Sequence, residues 1–281
     1  MTTFIFPGQG SQIQGMGKDL FHLFPDLIKQ VDEILGYSIV DICLDNTNDC
    51  LSQTQYTQPA LYVVNALYFM MEVNKGQKFR YLAGHSLGEY NALHASNVFD
   101  FISGLRLVQK RGQLMSKSKG GGMAAIIGLK SEKVKSILNE FSNNTVNISN
   151  YNSFTQLVIS GPKNEVVRMK TIFEENGADL VIPLKVSGAF HSHYMQDAKN
   201  EFSKFLQDFT FKPPSVPVIS NFTSLPYDQE NYKNYLINQI TAPVLWRQTI
   251  EFLLSIGEDN FIEIGPGKVL TGLVKRIRNN K

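Results

Sequence analysis

Tyr81-Leu82-Ala83 followed by Gly84-His85-Ser86-Leu87-Gly88 constrains this chain more than any other stretch. The apolar run reads as a buried strand and Glu89 to Ala95 has the make-up of a helix, so the residues between form a strand-to-helix turn. Ser86 has a glycine two residues away on either side, the G-x-S-x-G pattern of a nucleophile elbow. Such a turn pushes the serine hydroxyl into the open, and the glycines relieve the crowding. The helix that follows offers unpaired N–H groups where negative charge can develop during acyl transfer. An ordinary serine in a glycine-bracketed turn would fit the same five residues, so the reading requires partners elsewhere in the chain.

At 281 residues, 43% hydrophobic and 19% charged, the chain has the composition of a globular protein with room for one large domain and a small one. A formal charge of +2 argues little for nucleic acid. Lys275, Arg276, Arg278 and Lys281 make the C-terminus locally basic, which reads as a solvated tail or a docking patch for an acidic partner. The two cysteines, Cys43 and Cys50, lack the paired spacing of a zinc site, and Cys43 lies among apolar residues as a small hydrophobe would. No signal peptide opens the sequence and no apolar run reaches the roughly 18 residues of a membrane span, which predicts a cytoplasmic, reduced protein with no metal.

The order of elements predicts an α/β protein in which one domain interrupts another. Thr3 to Phe6 is a strand ended by Pro7-Gly8-Gln9-Gly10. Pro59 to Val73 is a helix with its proline near the start, and Asp100 caps a helix running to about Met115. From about 123 to 187 the pattern becomes β (Ala124 to Leu129), α (Ser131 to Phe141), β (Val146 to Tyr151), β (Gln156 to Ser160), α (Lys163 to Asn176), β (Asp179 to Leu184), the ferredoxin-like βαββαβ unit. A helix near Tyr194 to Phe209 and strands near Val216 to Asn221 and Phe261 to Ile264 complete the larger part. The expected division is a large domain of residues 1–122 and 188–281 and a small one of residues 123–187.

A nucleophilic serine needs a base. His22 falls in a polar early helix, His94 in the helix after the elbow, and His85 diverges from its neighbour Ser86. Gly188-Ala189-Phe190-His191-Ser192-His193 remains, a glycine-started loop leaving the small domain. A loop between domains faces the cleft, and the spacing leaves His191 and His193 both open as the base. Arg111 shares a helical stripe with Leu107, Val108, Leu114 and Met115. A guanidinium on an apolar face is either snorkelling or salt-bridged, or it grips a substrate carboxylate through its planar fork.

Along essentially its whole length the chain resembles the malonyl-CoA:acyl-carrier-protein acyltransferases. The matching stretches, in order, are Phe6-Pro7-Gly8-Gln9-Gly10-Ser11-Gln12 with Gly15-Met16-Gly17, Gln58-Pro59-Ala60, Gly84 to Tyr90, Arg111-Gly112, Gly188 to Ser192, Pro243-Val244-Leu245-Trp246 and Glu263-Ile264-Gly265-Pro266-Gly267. The resemblance implies a large α/β-hydrolase-like domain with an inserted ferredoxin-like one. It assigns Ser86 as the nucleophile and His191 as base and later acid, and leaves His193 exposed. The same resemblance makes the backbone N–H groups of Gln9 and Leu87 the oxyanion hole, pairs Arg111 with the malonyl carboxylate, lines that pocket with Met115 and Phe190, and orients the histidine through a backbone carbonyl near Gln239 rather than a carboxylate. Phe190 is the residue type such enzymes use for malonyl.

The implied reaction is a ping-pong exchange from malonyl-CoA through a seryl ester to the phosphopantetheine thiol of an acyl carrier protein, by a monomer with no permanently bound cofactor. Ile34-Leu35-Gly36-Tyr37-Ser38-Ile39 and the Gly-Ala-Phe-His stretch resemble the discrete, trans-acting polyketide enzymes more than those of fatty-acid synthesis. An editing acyl hydrolase of the same fold would gain nothing from Arg111, and a non-catalytic docking subunit would not need Ser86, His191 and Arg111 together.

Overall fold

The computed structural model describes residues 2–228 and 230–279; Lys281, the last cation of the basic run, lies outside the described residues. The chain opens with β1 (Thr2–Phe6), passes through α1 (Pro25–Leu35), α2 (Ile39–Leu44) and the long α3 (Thr54–Asn74), and returns as β2 (Tyr81–Gly84). Next come α4 (Gly88–Ala95) and α5 (Phe101–Ser116), then β3 (Gly121–Ile127), α6 (Ser131–Phe141), β4 (Asn147–Tyr151), β5 (Gln156–Pro162), α7 (Lys163–Glu175) and β6 (Leu180–Pro183). The remainder carries α8 (Gln196–Leu206), β7 (Val218–Ile219), α9 (Tyr232–Gln239), α10 (Trp246–Ser255), β8 (Asn260–Glu263) and α11 (Val269–Asn279).

The strands form two sheets. The first, in the order β7-β2-β1-β8, is parallel throughout. Phe4, Phe6 and Leu82 face a core shared with α3, α4 and α5, while Ile5, Ala83 and Ile219 face a second core with α10 and α11. Burial on both faces explains why Phe4-Ile5-Phe6 of β1 and Leu82-Ala83 of β2 are continuous apolar runs rather than alternating ones. Phe6 and Gly84 are in register at the ends of β1 and β2, so the loop from Pro7 and the elbow at Ser86 open side by side. That carboxyl edge is where open α/β sheets place their ligands.

The second sheet, in the order β4-β5-β3-β6, is antiparallel and has the expected βαββαβ connectivity. Ile126, Leu157 and Ile159 pack on Val134 of α6 and Phe173 of α7, which cover one face. Met123, Ala125 and Val158, on the other face, join the core of the first sheet and border the cleft between the two sheets.

Two expectations are corrected. The helix containing Pro59 begins at Thr54, so the proline lies inside it rather than near its start. Residues 57–67 are all buried, and that packing offsets the one intrahelical bond a proline removes. The strand expected over Val216 to Asn221 shrinks to Val218–Ile219, because the N–H groups of Ser215 and Val216 bond to Ser96 and Pro217 has none to give. Among the described residues no helix is long and apolar enough to cross a membrane, and no cluster of side chains has the make-up of a metal site.

Candidate active site

Ser86 has a φ of 52°, the left-handed region that a side chain rarely adopts. Two neighbours force the turn. A Cβ on Gly84 would lie 2.0 Å from the backbone of Gly88, and one on Gly88 would lie 2.1 Å from the carbonyl oxygen of Phe6, so only glycine lets strand, helix and β1 approach this closely. Asn221, just after β7, clips the turn from the side. Its Oδ1 accepts the N–H of Ser86 at 2.6 Å and its Nδ2 donates to the Gly84 carbonyl at 2.6 Å.

The loop from β6 to α8 brings His191 to this turn and leaves His193 exposed. Ser86 Oγ lies 2.8 Å from His191 Nε2. His191 Nδ1 lies 2.8 Å from the backbone carbonyl of Gln239 at the end of α9. A carbonyl only accepts, so Nδ1 carries the proton and Nε2 keeps a lone pair for the serine hydroxyl. Burial, followed by the Arg111 charge, pushes the His191 imidazole down to about 3, so it is neutral and able to take a proton at physiological pH. The backbone at His191 is left-handed as well, with φ 57°.

Arg111 projects from α5 into the same place and is 1% exposed. Its NH1 donates to Gln58 Oε1 at 2.7 Å, and NH2 donates to Gln239 Oε1 at 3.0 Å and to Ser86 Oγ at 3.1 Å. The guanidinium stands over the Tyr90 ring, 5.6 Å from its centroid. No carboxylate among the described residues comes within ion-pair distance of it, which excludes the salt-bridged alternative and leaves a buried cation facing a cleft. Met115 packs beside it, its sulfur 3.5 Å from Gln58 Nε2.

These groups line a cavity of about 220 Å³ between the sheets. Gln9, Ser86, Leu87, Arg111, Met115, Phe190 and His191 form one wall, and Met123, Ala125 and Val158 of the second sheet, with Leu184 just after β6, form the other. A Cβ on Gly8 would lie 2.2 Å from the His85 carbonyl and 3.6 Å from Leu87 N, so the backbones beside Gln9 and Leu87 converge next to the serine. The arrangement can deprotonate a serine, receive negative charge from two directions and hold an anion beside the nucleophile.

The acyl transferase domain model matches residues 3–280. The chain is 51% identical over 282 residues to the polyketide biosynthesis malonyl CoA-acyl carrier protein transacylase PksC of Bacillus subtilis, covering all of this chain and 98% of that one. It belongs to the malonyl-CoA:acyl-carrier-protein acyltransferase family. A second transacylase of the same organism, named only malonyl CoA-acyl carrier protein transacylase, is 38% identical over 98% of this chain and 89% of its own length. A crystal structure of the malonyl CoA-acyl carrier protein transacylase from Burkholderia pseudomallei superposes with a TM-score of 0.96 at 45% identity, covering all of this chain and 99% of that one.

In this acyltransferase the structure also brings in residues to which sequence reasoning gave no role. Glu89, the residue after the elbow's second glycine, is fully buried. Its Oε1 accepts the N–H of Asn221 at 3.2 Å and the hydroxyl of Tyr227, and its Oε2 accepts Gln239 Nε2. Burial raises its carboxyl to about 7 against the pull of those hydrogen bonds and of Arg111. The signal for Glu89 was available: it is the one Asp, Glu, Lys or Arg in α4. Gln58 was part of a matched motif without a role. Asn221 and Tyr227 lie in irregular chain where no periodicity marks them.

Proposed function

We propose that this protein moves a malonyl group from malonyl-CoA to the phosphopantetheine thiol of an acyl carrier protein through an ester on Ser86. One observation carries the reading: the Ser86 hydroxyl lies 2.8 Å from a neutral imidazole and 3.1 Å from a buried guanidinium that, among the described residues, no carboxylate touches. A malonyl ester on that oxygen ends in a free carboxylate two carbons beyond its carbonyl, within reach of a cation placed so close. An acyl group without a carboxylate would leave the cation unpaired, which is how Arg111 selects.

In the first half-reaction His191 Nε2 takes the Ser86 proton as Oγ attacks the thioester carbonyl. The N–H groups of Gln9 and Leu87 hold the oxyanion, and the C–S bond breaks as the imidazolium protonates the leaving thiolate. The second half repeats these steps with the carrier's thiol as nucleophile and Ser86 as leaving group. No cofactor stays bound. A cavity of about 220 Å³, smaller than the roughly 300–1,000 Å³ that encloses a drug-sized ligand, suits a short acyl group bordered by Phe190 and Met115, with the carrier arm outside. Residues 123–187 serve as the wall that closes over it.

Identity is higher to the polyketide enzyme of Bacillus subtilis than to the other transacylase of that organism, 51% against 38%, which supports a discrete enzyme serving a polyketide synthase in trans. The test is intact-protein mass spectrometry after brief incubation with malonyl-CoA or acetyl-CoA and then with a holo acyl carrier protein. A malonyl adduct that is absent in Ser86→Ala and passes to the carrier thiol is expected. An adduct that decays to free acid regardless of carrier, or forms better from acetyl-CoA, would make the protein an editing hydrolase instead.

A further inference from the structure

The side-chain amide of Gln239 is the junction of this site. Its Nε2 donates to the Ser86 carbonyl at 2.9 Å and to Glu89 Oε2, its Oε1 accepts Arg111 NH2 at 3.0 Å, and its own backbone carbonyl holds His191 Nδ1 at 2.8 Å. An amide can turn over and exchange its oxygen and nitrogen, so something must fix which end meets the arginine.

We propose that the Glu89 carboxylate is the positioning residue of the acyl-carboxylate clamp: by accepting from Gln239 Nε2 it locks the amide oxygen onto Arg111 and aims the guanidinium at the acyl group on Ser86. The proposal rests on the reading of Arg111 as the malonyl clamp. Glu89 touches neither substrate nor the reacting atoms; it acts through Gln239.

A carboxylate is required because it only accepts. Donors surround Glu89: the Tyr227 hydroxyl and the Asn221 N–H at Oε1, and Gln239 Nε2 at Oε2. An amide at position 89 has one accepting end. Turned with its oxygen to Gln239, it sets an N–H₂ group against the Asn221 N–H, which cannot rotate away. Turned the other way, its N–H₂ faces Gln239 Nε2 and drives that amide over, so that a donor then faces Arg111. Either arrangement leaves a buried donor unpaired and loosens the clamp: the first gives Gln239 Nε2 a weaker, neutral acceptor in place of a charged one, and the second turns Gln239 over.

The deciding experiment compares wild type, Glu89→Gln and Tyr227→Phe at pH 8 for rates of acyl-enzyme formation from malonyl-CoA and acetyl-CoA, with melting temperatures alongside. Wild type must first form the malonyl adduct; its failure to do so would overturn the clamp reading itself and not the role of Glu89 within it. For Glu89→Gln the malonyl-over-acetyl preference is expected to fall about tenfold, mainly through KM for malonyl-CoA, as loss of one hydrogen bond to a charged group implies. Tyr227→Phe, which loosens Glu89 without touching Gln239, should shift the preference the same way by less, and it decides the matter alone if Glu89→Gln does not fold. Folded variants that keep the wild-type preference, or that lose kcat equally for both acyl groups with KM unchanged, would overturn the proposal.

Discussion

Ser86 and His191 share a backbone state, φ 52° and 57°, that non-glycine residues seldom occupy. Strain of this kind persists only where the surroundings over-determine it, and here it presents one hydroxyl and one ring nitrogen to each other. Arg111 contributes a different quantity, a buried charge that no carboxylate among the described residues touches. Arg111→Ala is expected to slow acylation from malonyl-CoA by about a hundredfold, the effect of roughly 3 kcal/mol of lost ion pairing, while acetyl-CoA reacts nearly as before or better. If malonyl preference survives, measured as the ratio of the two acylation rates, the guanidinium is not the clamp. Glu89 and His191 also set opposing pH terms in stability. Glu89 is raised above its usual 4.5 to about 7, so the folded state keeps a proton that the unfolded state has released, and stability is lost as pH rises through that window. His191 is depressed from 6.5 to about 3, so its contribution is present above 6.5 and is lost as pH falls toward 3. In Glu89→Gln only the second survives. Denaturant unfolding should therefore show the wild-type-minus-variant stability shrinking by roughly 3 kcal/mol between pH 4.5 and 7. A difference that stays constant with pH would remove Glu89 from titration in this range.

At the scale of elements, the elbow between β2 and α4 is held from outside by Asn221, which belongs to neither. Asn221→Ala would strip the partner from the Ser86 N–H and from the Gly84 carbonyl while its backbone N–H still reached Glu89. We expect acyl-enzyme formation to slow about tenfold or more for malonyl and acetyl alike, since each buried group left unpaired costs about 1–3 kcal/mol and the turn carries the nucleophile. An acyl-dependent effect would mean that Asn221 acts on the clamp rather than on the turn. This division also explains what the sequence made legible. The elbow, the Asp100 cap on α5 and the βαββαβ order are written in local chemistry: glycines at fixed offsets, a capping carboxylate that accepts Ser103 N–H at 2.7 Å, and alternating periods. Arg111 announced itself by lying on an apolar stripe. The supports did not, because Asn221, Tyr227 and the Gln239 amide act through contacts spanning more than 120 residues, which no local pattern records. Pro59 misled for the reverse reason: its local signal marks a helix start, and burial of the surrounding turns overrode it.

For the molecule as a whole, what matters is how the second sheet is held against the first, because the cavity lies between them. β4 is tied to the segment before α10 by Tyr151 N–H to the Val244 carbonyl and Val244 N–H to the Ser149 carbonyl, both at 2.9 Å. One side-chain link crosses from that sheet to the elbow itself: His85 Nε2 lies 2.9 Å from Asn152 Oδ1, with the imidazole edge-on to Trp246. Burial lowers the His85 pKa, so the ring is neutral, and with the amide oxygen accepting it is Nε2 that bears the proton. These backbone bonds, side-chain links farther from the site such as Arg276 NH1 to Gln156 Oε1 and the Tyr194 hydroxyl to the Thr145 carbonyl, and the imidazole–amide contact beside the nucleophile together fix the width of the cleft, and cleft width sets how easily water reaches the seryl ester. Transfer to a thiol outruns hydrolysis only while that access is limited. Asn152→Ala would leave the backbone bonds in place and remove the link at the serine. The malonyl adduct of this variant, held without carrier protein, is expected to decay to free acid roughly fivefold faster than that of wild type, the effect of about 1 kcal/mol of lost hydrogen bonding. Its preference for malonyl over acetyl should stay the same, because Arg111 is held by Gln58 and Gln239 while the Asn152 contact is to His85. Equal adduct lifetimes would show that the rest of the seam closes the cleft without this contact, and a changed preference would show that the seam reaches the clamp.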